Sequence, residues 1–190
     1  MNMLNDLKLH KTISTQSDII ASSQYNFQIE LVKSIGERDS KKLIEISNEL
    51  VDIFGPHSLL TEKNINKYFN KKTLPFIARY NKNIIGYIIG VPLEYFKDEA
   101  WSHFDSNLSK ENTLYTYAFV LEKKLQLKAG GYAKTLKRIY LSWAKKRGYT
   151  YITGHVRKDI ATKFPNTKII KTFPIWYDAK DPFSYYQRTI

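Results

Sequence analysis

The sequence predicts an α/β (α+β) domain in which helices flank a mixed, mostly antiparallel sheet. Three observations carry this. Apolar runs of strand length recur between turn residues, at Leu74–Tyr80, Ile84–Val91, Leu114–Leu121 and Tyr149–Val156. One amphipathic helix separates the last two, forming a strand–helix–strand unit. The chain has 190 residues, of which 43% are apolar, enough for one domain with a full core and too many for wholesale disorder.

Residues 1–26 are polar and weakly periodic, and are expected to form an arm ahead of a domain at 27–190. Phe27–Ile35 alternates loosely, as a first strand does. Asp39 or Ser40 is placed to cap a helix with apolar positions Leu43, Ile46, Leu50, Ile53 and Phe54, stopped by Gly55-Pro56. Thr61 is placed to cap a short helix with Ile65, Tyr68 and Phe69 inward. Leu74–Tyr80 puts Leu74, Phe76, Ala78 and Tyr80 on one face. Asn81-Lys82-Asn83 turns the chain into the almost wholly apolar strand Ile84–Val91. Gly86 and Gly90 inside it mark a bulge, a close backbone approach or plain packing. Pro92–Asn112 is long for a hairpin connection and interleaves acids with Tyr95, Phe96, Trp101 and Phe104. It reads as a surface insertion folded over its own aromatics, or as the wall of a site for a cationic amine. After the strand–helix–strand unit, Lys158–Phe164 reads as a short helix, and Lys168–Phe173 and Ser184–Thr189 as two last strands.

The organising stretch is Lys128–Gly148. A loop containing Gly130 and Gly131 runs into a helix from Ala133 to Arg147, about 22 Å long. Leu136, Ile139, Tyr140, Trp143 and Ala144 form its apolar face. Gly148 stands at the C-cap, behind Lys145, Lys146 and Arg147. The helix start offers free N–H groups, and the glycines let a ligand approach the main chain, so the turn is a phosphate site. Residues 122–149 hold nine Lys or Arg against Glu122 alone, a strong field for an anion.

This stretch resembles the acyl-coenzyme A signature of the GNAT (GCN5-related) N-acetyltransferases, Arg/Gln-x-x-Gly-x-Gly/Ala. Two registers compete. Gln126 supplies the first residue but sets Ala129 at the glycine position. Lys128-Ala129-Gly130-Gly131-Tyr132-Ala133 matches the glycine and the small residue with Lys at the first position, and is preferred. The resemblance implies a GNAT-like sheet of six to seven strands with a V-shaped splay between the central strands. It implies acetyl-CoA as cofactor, held by Phe119, Val120 and Leu121 on the strand and by Lys128, Ala129, Gly130, Gly131, Tyr132, Ala133 and Lys134 at the loop and helix start. The reaction implied is acetyl transfer to a primary amine, on a small molecule or on a protein lysine or N-terminus. Tyr115, Tyr117, Glu111 and Glu122, on or flanking that strand, are the catalytic candidates. His155 is a further base candidate, set against a histidine satisfied in a turn. The family's tyrosine acid is missing, with Phe164 near its place; Tyr177, Tyr185 or Tyr186 substitute if the last strands fold back. GNAT domains often pair, so a homodimer is expected.

The chain has no cysteine, which removes disulfides and a Cys nucleophile. Its four histidines lack metal-ligand spacing, so no metal site is expected. No run spans a bilayer and no leader is seen, so a cytoplasmic protein without a membrane partner is expected. The net charge of +12 admits a basic nucleic-acid-binding domain, but no zinc-finger, RRM or KH pattern accompanies it. A non-catalytic acyl-CoA-binding module is the other alternative.

Overall fold

An eight-stranded sheet carries the molecule in the computed structural model, which describes residues 14–23, 26–123, 131–164 and 166–190. The strands are β1 (Gln16–Ser22), β2 (Phe27–Ser34), β3 (Leu74–Tyr80), β4 (Asn83–Pro92), β5 (Thr113–Leu121), β6 (Tyr151–Arg157), β7 (Thr167–Phe173) and β8 (Phe183–Thr189). Their order is β1-β2-β3-β4-β5-β6-β8-β7. β5 and β6 run parallel; every other neighbour is antiparallel. The helices are α1 (Glu37–Ser47), α2 (Val51–Phe54), α3 (Ile65–Tyr68), α4 (Tyr132–Lys146) and α5 (Lys158–Ala161). No helix among the described residues is long and apolar enough to cross a membrane.

Alternation along the strands fills two layers. Leu74, Phe76 and Ala78 of β3 join Leu136, Tyr140 and Ala144 of α4 on one face. Ile77, Tyr87, Ile89 and Val91 join Leu43 and Ile46 of α1 on the other. A third cluster gathers Leu93, Trp101, Tyr115, Trp176, Phe183 and Tyr185 beside the β5–β6 junction. The helix α4 ends as its sequence requires. Gly148 adopts φ +86°, its N–H reaches the Lys145 carbonyl at 2.9 Å, and the Tyr149 N–H reaches Ala144 at 3.1 Å. That is a Schellman close.

Four expectations are corrected. Residues 16–22, placed in a polar arm, form the edge strand β1; its side chains are mostly exposed, so no apolar alternation announces it. The helix read as continuous from residue 39 to 54 breaks into α1, a 3₁₀ turn at Asn48–Leu50 and α2, leaving Ile53 exposed. Gly36, not Asp39 or Ser40, is the N-cap of α1. Asp39 is drawn instead to Arg79, whose Nε also donates to Glu30 at 2.8 Å. The last short helix stops at Ala161 rather than Phe164.

Candidate active site

The site begins with a bulge. In the β4–β5 ladder Ile89 opposes Ala118, whereas Gly90 opposes Thr116, so Tyr117 is an extra residue. Tyr117 and Ala118 consequently both pack against the α1 layer, where strict alternation would send one of them to α4. A bulge adds twist and bends its strand. β5 accordingly pairs with β6 only from Thr113 to Tyr115, and the two strands diverge beyond. A cavity of about 380 Å³ opens through this wedge and is lined from both faces of the sheet. Gly154 of β6 faces the root of the wedge, where an added Cβ would lie 3.4 Å from the Thr116 carbonyl oxygen, an ordinary contact.

On the α4 face the cavity is lined by Thr116, Lys137, Tyr140, Phe164, Tyr186 and Arg188, among others. Thr116 and Tyr140 share a 2.9 Å hydroxyl hydrogen bond that ties the bulged strand to the helix. The helix start lies above. Gly131 is the N-cap at φ +64°; among the described residues no side chain caps the helix and a Cβ on Gly131 would meet nothing within 4 Å. Among the described residues the first bonded amide is that of Thr135, which reaches the Gly131 carbonyl at 2.9 Å. The amides of Tyr132, Ala133 and Lys134 therefore have no partner within the helix. The Tyr132 ring stacks at 4.8 Å on Phe27 and 5.7 Å from Tyr80, which pins the helix start to the sheet. Ala133 and Lys134 are exposed. Of the strand residues expected at the cofactor, Phe119 lines the cavity, while the side chains of Val120 and Leu121 are buried in the two cores and leave only main chain on offer. Lys128, Ala129 and Gly130, like Gln126 of the competing register, lie outside the described residues.

On the opposite face the walls are aromatic. Tyr68 stacks on Tyr117 at 3.9 Å, and Phe96 lies 4.8 Å from Tyr115. Trp176 stacks on His155 at 3.6 Å, and Trp101 meets the His155 ring edge-on at 4.9 Å. Tyr95, Glu99, His57 and Tyr177 form an exposed rim, where the Tyr177 hydroxyl donates to Glu99 at 3.3 Å. The insertion at residues 92–112 packs as the first of its two readings has it. It folds over Phe96 and Trp101, and it lends those rings to the cavity. It is latched by Asp105, whose buried carboxylate accepts from the Tyr185 hydroxyl at 2.8 Å and from Gln187 Nε2 at 2.9 Å.

The expected catalytic residues divide. Tyr115 and Tyr117 both face the cavity. Burial pushes both phenols well above the usual tyrosine range, so they hold their protons at neutral pH and donate. Glu111 is misplaced by the sequence reading. It is exposed in a left-handed turn, its N–H bonded to Glu94 at 3.0 Å, and it does not line the cavity. Glu122 is likewise away from the cavity, paired with Lys42 at 2.9 Å. His155 is within the strand β6 rather than in a turn. Its Nδ1 and the Tyr115 hydroxyl share a 3.0 Å hydrogen bond, and burial drives its pKa well below the ordinary histidine value. Tyr186 is the C-terminal tyrosine that reaches the α4 side, 5.4 Å from Phe164, with its pKa raised by burial to about 12. Tyr177 stands on the opposite rim. Tyr185 is spent on Asp105.

This arrangement, a bulged strand splayed from a parallel neighbour with a glycine-capped helix above, defines a class of fold. No family profile and no curated protein matches the chain. Solved structures do. A GCN5-related N-acetyltransferase from Kribbella flavida superposes with a TM-score of 0.63 at 13% identity, covering 88% of this chain and all of its own. The acetyltransferase yncA from Salmonella typhimurium, solved with acetyl-CoA, gives 0.60 at 12%, covering 86% and 94%. The ribosomal-protein-S18-alanine N-acetyltransferase from Escherichia coli gives 0.58 at 14%, covering 86% and 94%. The chain has the fold of the GCN5-related N-acetyltransferases.

Proposed function

We propose that the protein is an acyl-CoA-dependent N-acyltransferase that moves an acetyl group from acetyl-CoA to a primary amine. The observation that supports this most is the cavity through the β5–β6 wedge, with donor-side and acceptor-side walls meeting at the bulge. The residues present fit the cofactor. An uncapped helix start with an open left-handed glycine suits a diphosphate. Among the described residues, Thr116–Val120 of β5 have no strand partner on the β6 side, which leaves an edge where an extended amide-bearing arm can bond. Acetyl-CoA, when bound, supplies an activated acyl group and a thiol leaving group.

The chain's own residues orient, desolvate and hold protons. Among the described residues, Glu99 is the one acid lining the cavity, at the exposed rim, where it attracts an ammonium without reaching the bulge. A lysine-type amine at pH 7 costs about 4–5 kcal/mol to deprotonate, an α-amine about 1 kcal/mol. Desolvation among Phe96, Trp101, Tyr115 and Tyr117 lowers that cost by disfavouring the charged amine, in place of a carboxylate base. The Tyr115 and Tyr117 hydroxyls donate hydrogen bonds toward the reacting centre. Tyr186, on the far wall, is the proton holder nearest the place of the missing acid. The chain's lack of cysteine suits a cytoplasmic setting.

Calorimetry with CoA and an acetylation screen over polyamines, amino acids, aminoglycosides and peptides test this reading. CoA is expected to bind and at least one amine class to be acetylated. Binding without turnover would favour a non-catalytic module, and no binding would end the proposal. Gly131→Asp, which sets a carboxylate against the helix start, is expected to abolish CoA binding while the protein stays folded, at a cost of about 1 kcal/mol for a side chain at φ +64°.

A further inference from the structure

Two cations line the α4 side of the cavity with nothing to balance them. Lys137 and Arg188 are both half-buried. Among the described residues neither has a carboxylate within ion-pair distance, although most other half-buried cations of the sheet and α1 have one, as in Arg79 with Glu30 and Lys42 with Glu122. The Lys137 ammonium lies over the Phe164 ring, 4.7 Å from its centroid. The Arg188 Nε is buried and lacks a hydrogen-bond partner among the described residues. Burial, and then the neighbouring Arg188 charge, pull the Lys137 pKa below its usual value. Like charges held together out of water are unfavourable unless a ligand supplies the counter-charge.

Position indicates what that ligand group is. Lys137 is six residues beyond Gly131, about 9 Å further along α4 and away from the phosphate end. One turn on, Tyr140 is bonded to Thr116 at the root of the wedge. The pair therefore stands beside the bulge, where the acyl group is proposed to lie. We propose that Lys137 and Arg188 form a subsite for a carboxylate carried by the donor's acyl chain, so that dicarboxylic acyl-CoA thioesters are preferred over neutral ones of similar length. The chemistry is unchanged: the amine nitrogen bonds the acyl carbon, the C–S bond breaks, the thiol leaves, and the ammonium proton passes to solvent. The distal carboxylate does not react. This inference rests on the acyltransferase reading.

The test is calorimetry on the full chain with CoA, dephospho-CoA, succinyl-CoA and butyryl-CoA, for wild type, Lys137→Gln and Arg188→Gln. Wild type is expected to bind succinyl-CoA about tenfold more tightly than butyryl-CoA, the scale of a charge-assisted hydrogen bond. Each variant is expected to lose that preference while its affinity for CoA holds. Equal affinity of wild type for the two thioesters overturns the proposal. So does a variant that instead loses affinity for CoA together with its discrimination against dephospho-CoA, because the cations would then serve a nucleotide phosphate. Failure of wild type to bind any CoA species overturns the acyltransferase reading and this subsite with it. Should Arg188→Gln fold poorly by circular dichroism, Lys137→Gln alone decides.

Discussion

His155 stays neutral because it is walled in by Trp101, Trp176 and Tyr115. Its folded pKa is depressed, while the unfolded chain binds a proton near pH 6.5. Below that pH the unfolded state holds more protons, so stability falls as pH drops from about 6.5 toward the folded value. His155→Gln is expected to flatten the decline in denaturant midpoint between pH 7 and 5; an unchanged slope would refute it. Asp39 shows the opposite kind of shift. Burial raises its pKa, but hydrogen bonds from Arg79 and Thr15 and the Arg79 charge outweigh that and leave it lowered. Its contribution is present above about pH 4 and is lost as pH falls through the folded value. Asp39→Asn is expected to cost about 2 kcal/mol at pH 7, and less as the pH of the measurement drops. Neither role was legible in the sequence. The partners of His155 come from three distant segments, and Asp39 looks like any helix-capping residue until β3 brings Arg79 beside it.

At the scale of the element, legibility followed burial. The α4 helix could be read because Leu136, Tyr140 and Ala144 are wholly buried and its end is set by one glycine. The edge strand β1 could not, because its core contacts come from the adjacent residues Ile20 and Ala21, which give no apolar alternation. The bulge at Tyr117 was not legible, since no residue type in Thr116–Ala118 demands it; the family resemblance implied only a splay between the central strands. Gly86 and Gly90 were legible as constraints but not as to kind. A Cβ on Gly86 would sit 2.4 Å from the Val120 carbonyl oxygen, and one on Gly90 would strike the Leu114 and Tyr140 side chains. Both glycines therefore let β4, β5 and α4 close up around the wedge. Gly86→Ala is expected to destabilise the protein by about 2 kcal/mol, read from equilibrium unfolding, because backbone rather than a flexible side chain must move.

Across the whole molecule, the proposed donor and acceptor halves of the cavity have different origins. The proposed donor half is built on the β5–α4–β6 unit, contiguous in the chain and written in its glycine and apolar pattern, and is completed by Phe164, Tyr186 and Arg188 from further along. The proposed acceptor half is assembled from α2, α3, the insertion at residues 92–112 and the segment between β7 and β8, and the carboxylates at positions 111 and 122, chosen for their closeness to β5 in sequence, do not line it. Trp101 packs against Tyr115, His155, Trp176 and Tyr185 at the centre of that assembly. Trp101→Ala is expected to raise the KM for the amine at least tenfold while leaving CoA affinity within twofold; a matching loss in both would contradict the division.

The Asp105 latch sets a timetable for synthesis. A ribosome adds Asp105 well before it reaches the hydroxyl of Tyr185 and the amide of Gln187 that fasten it, a separation of 80 and 82 positions. A nascent chain arrested ahead of β8 therefore carries the insertion unfastened, and is expected to be open to protease there until the closing strand arrives.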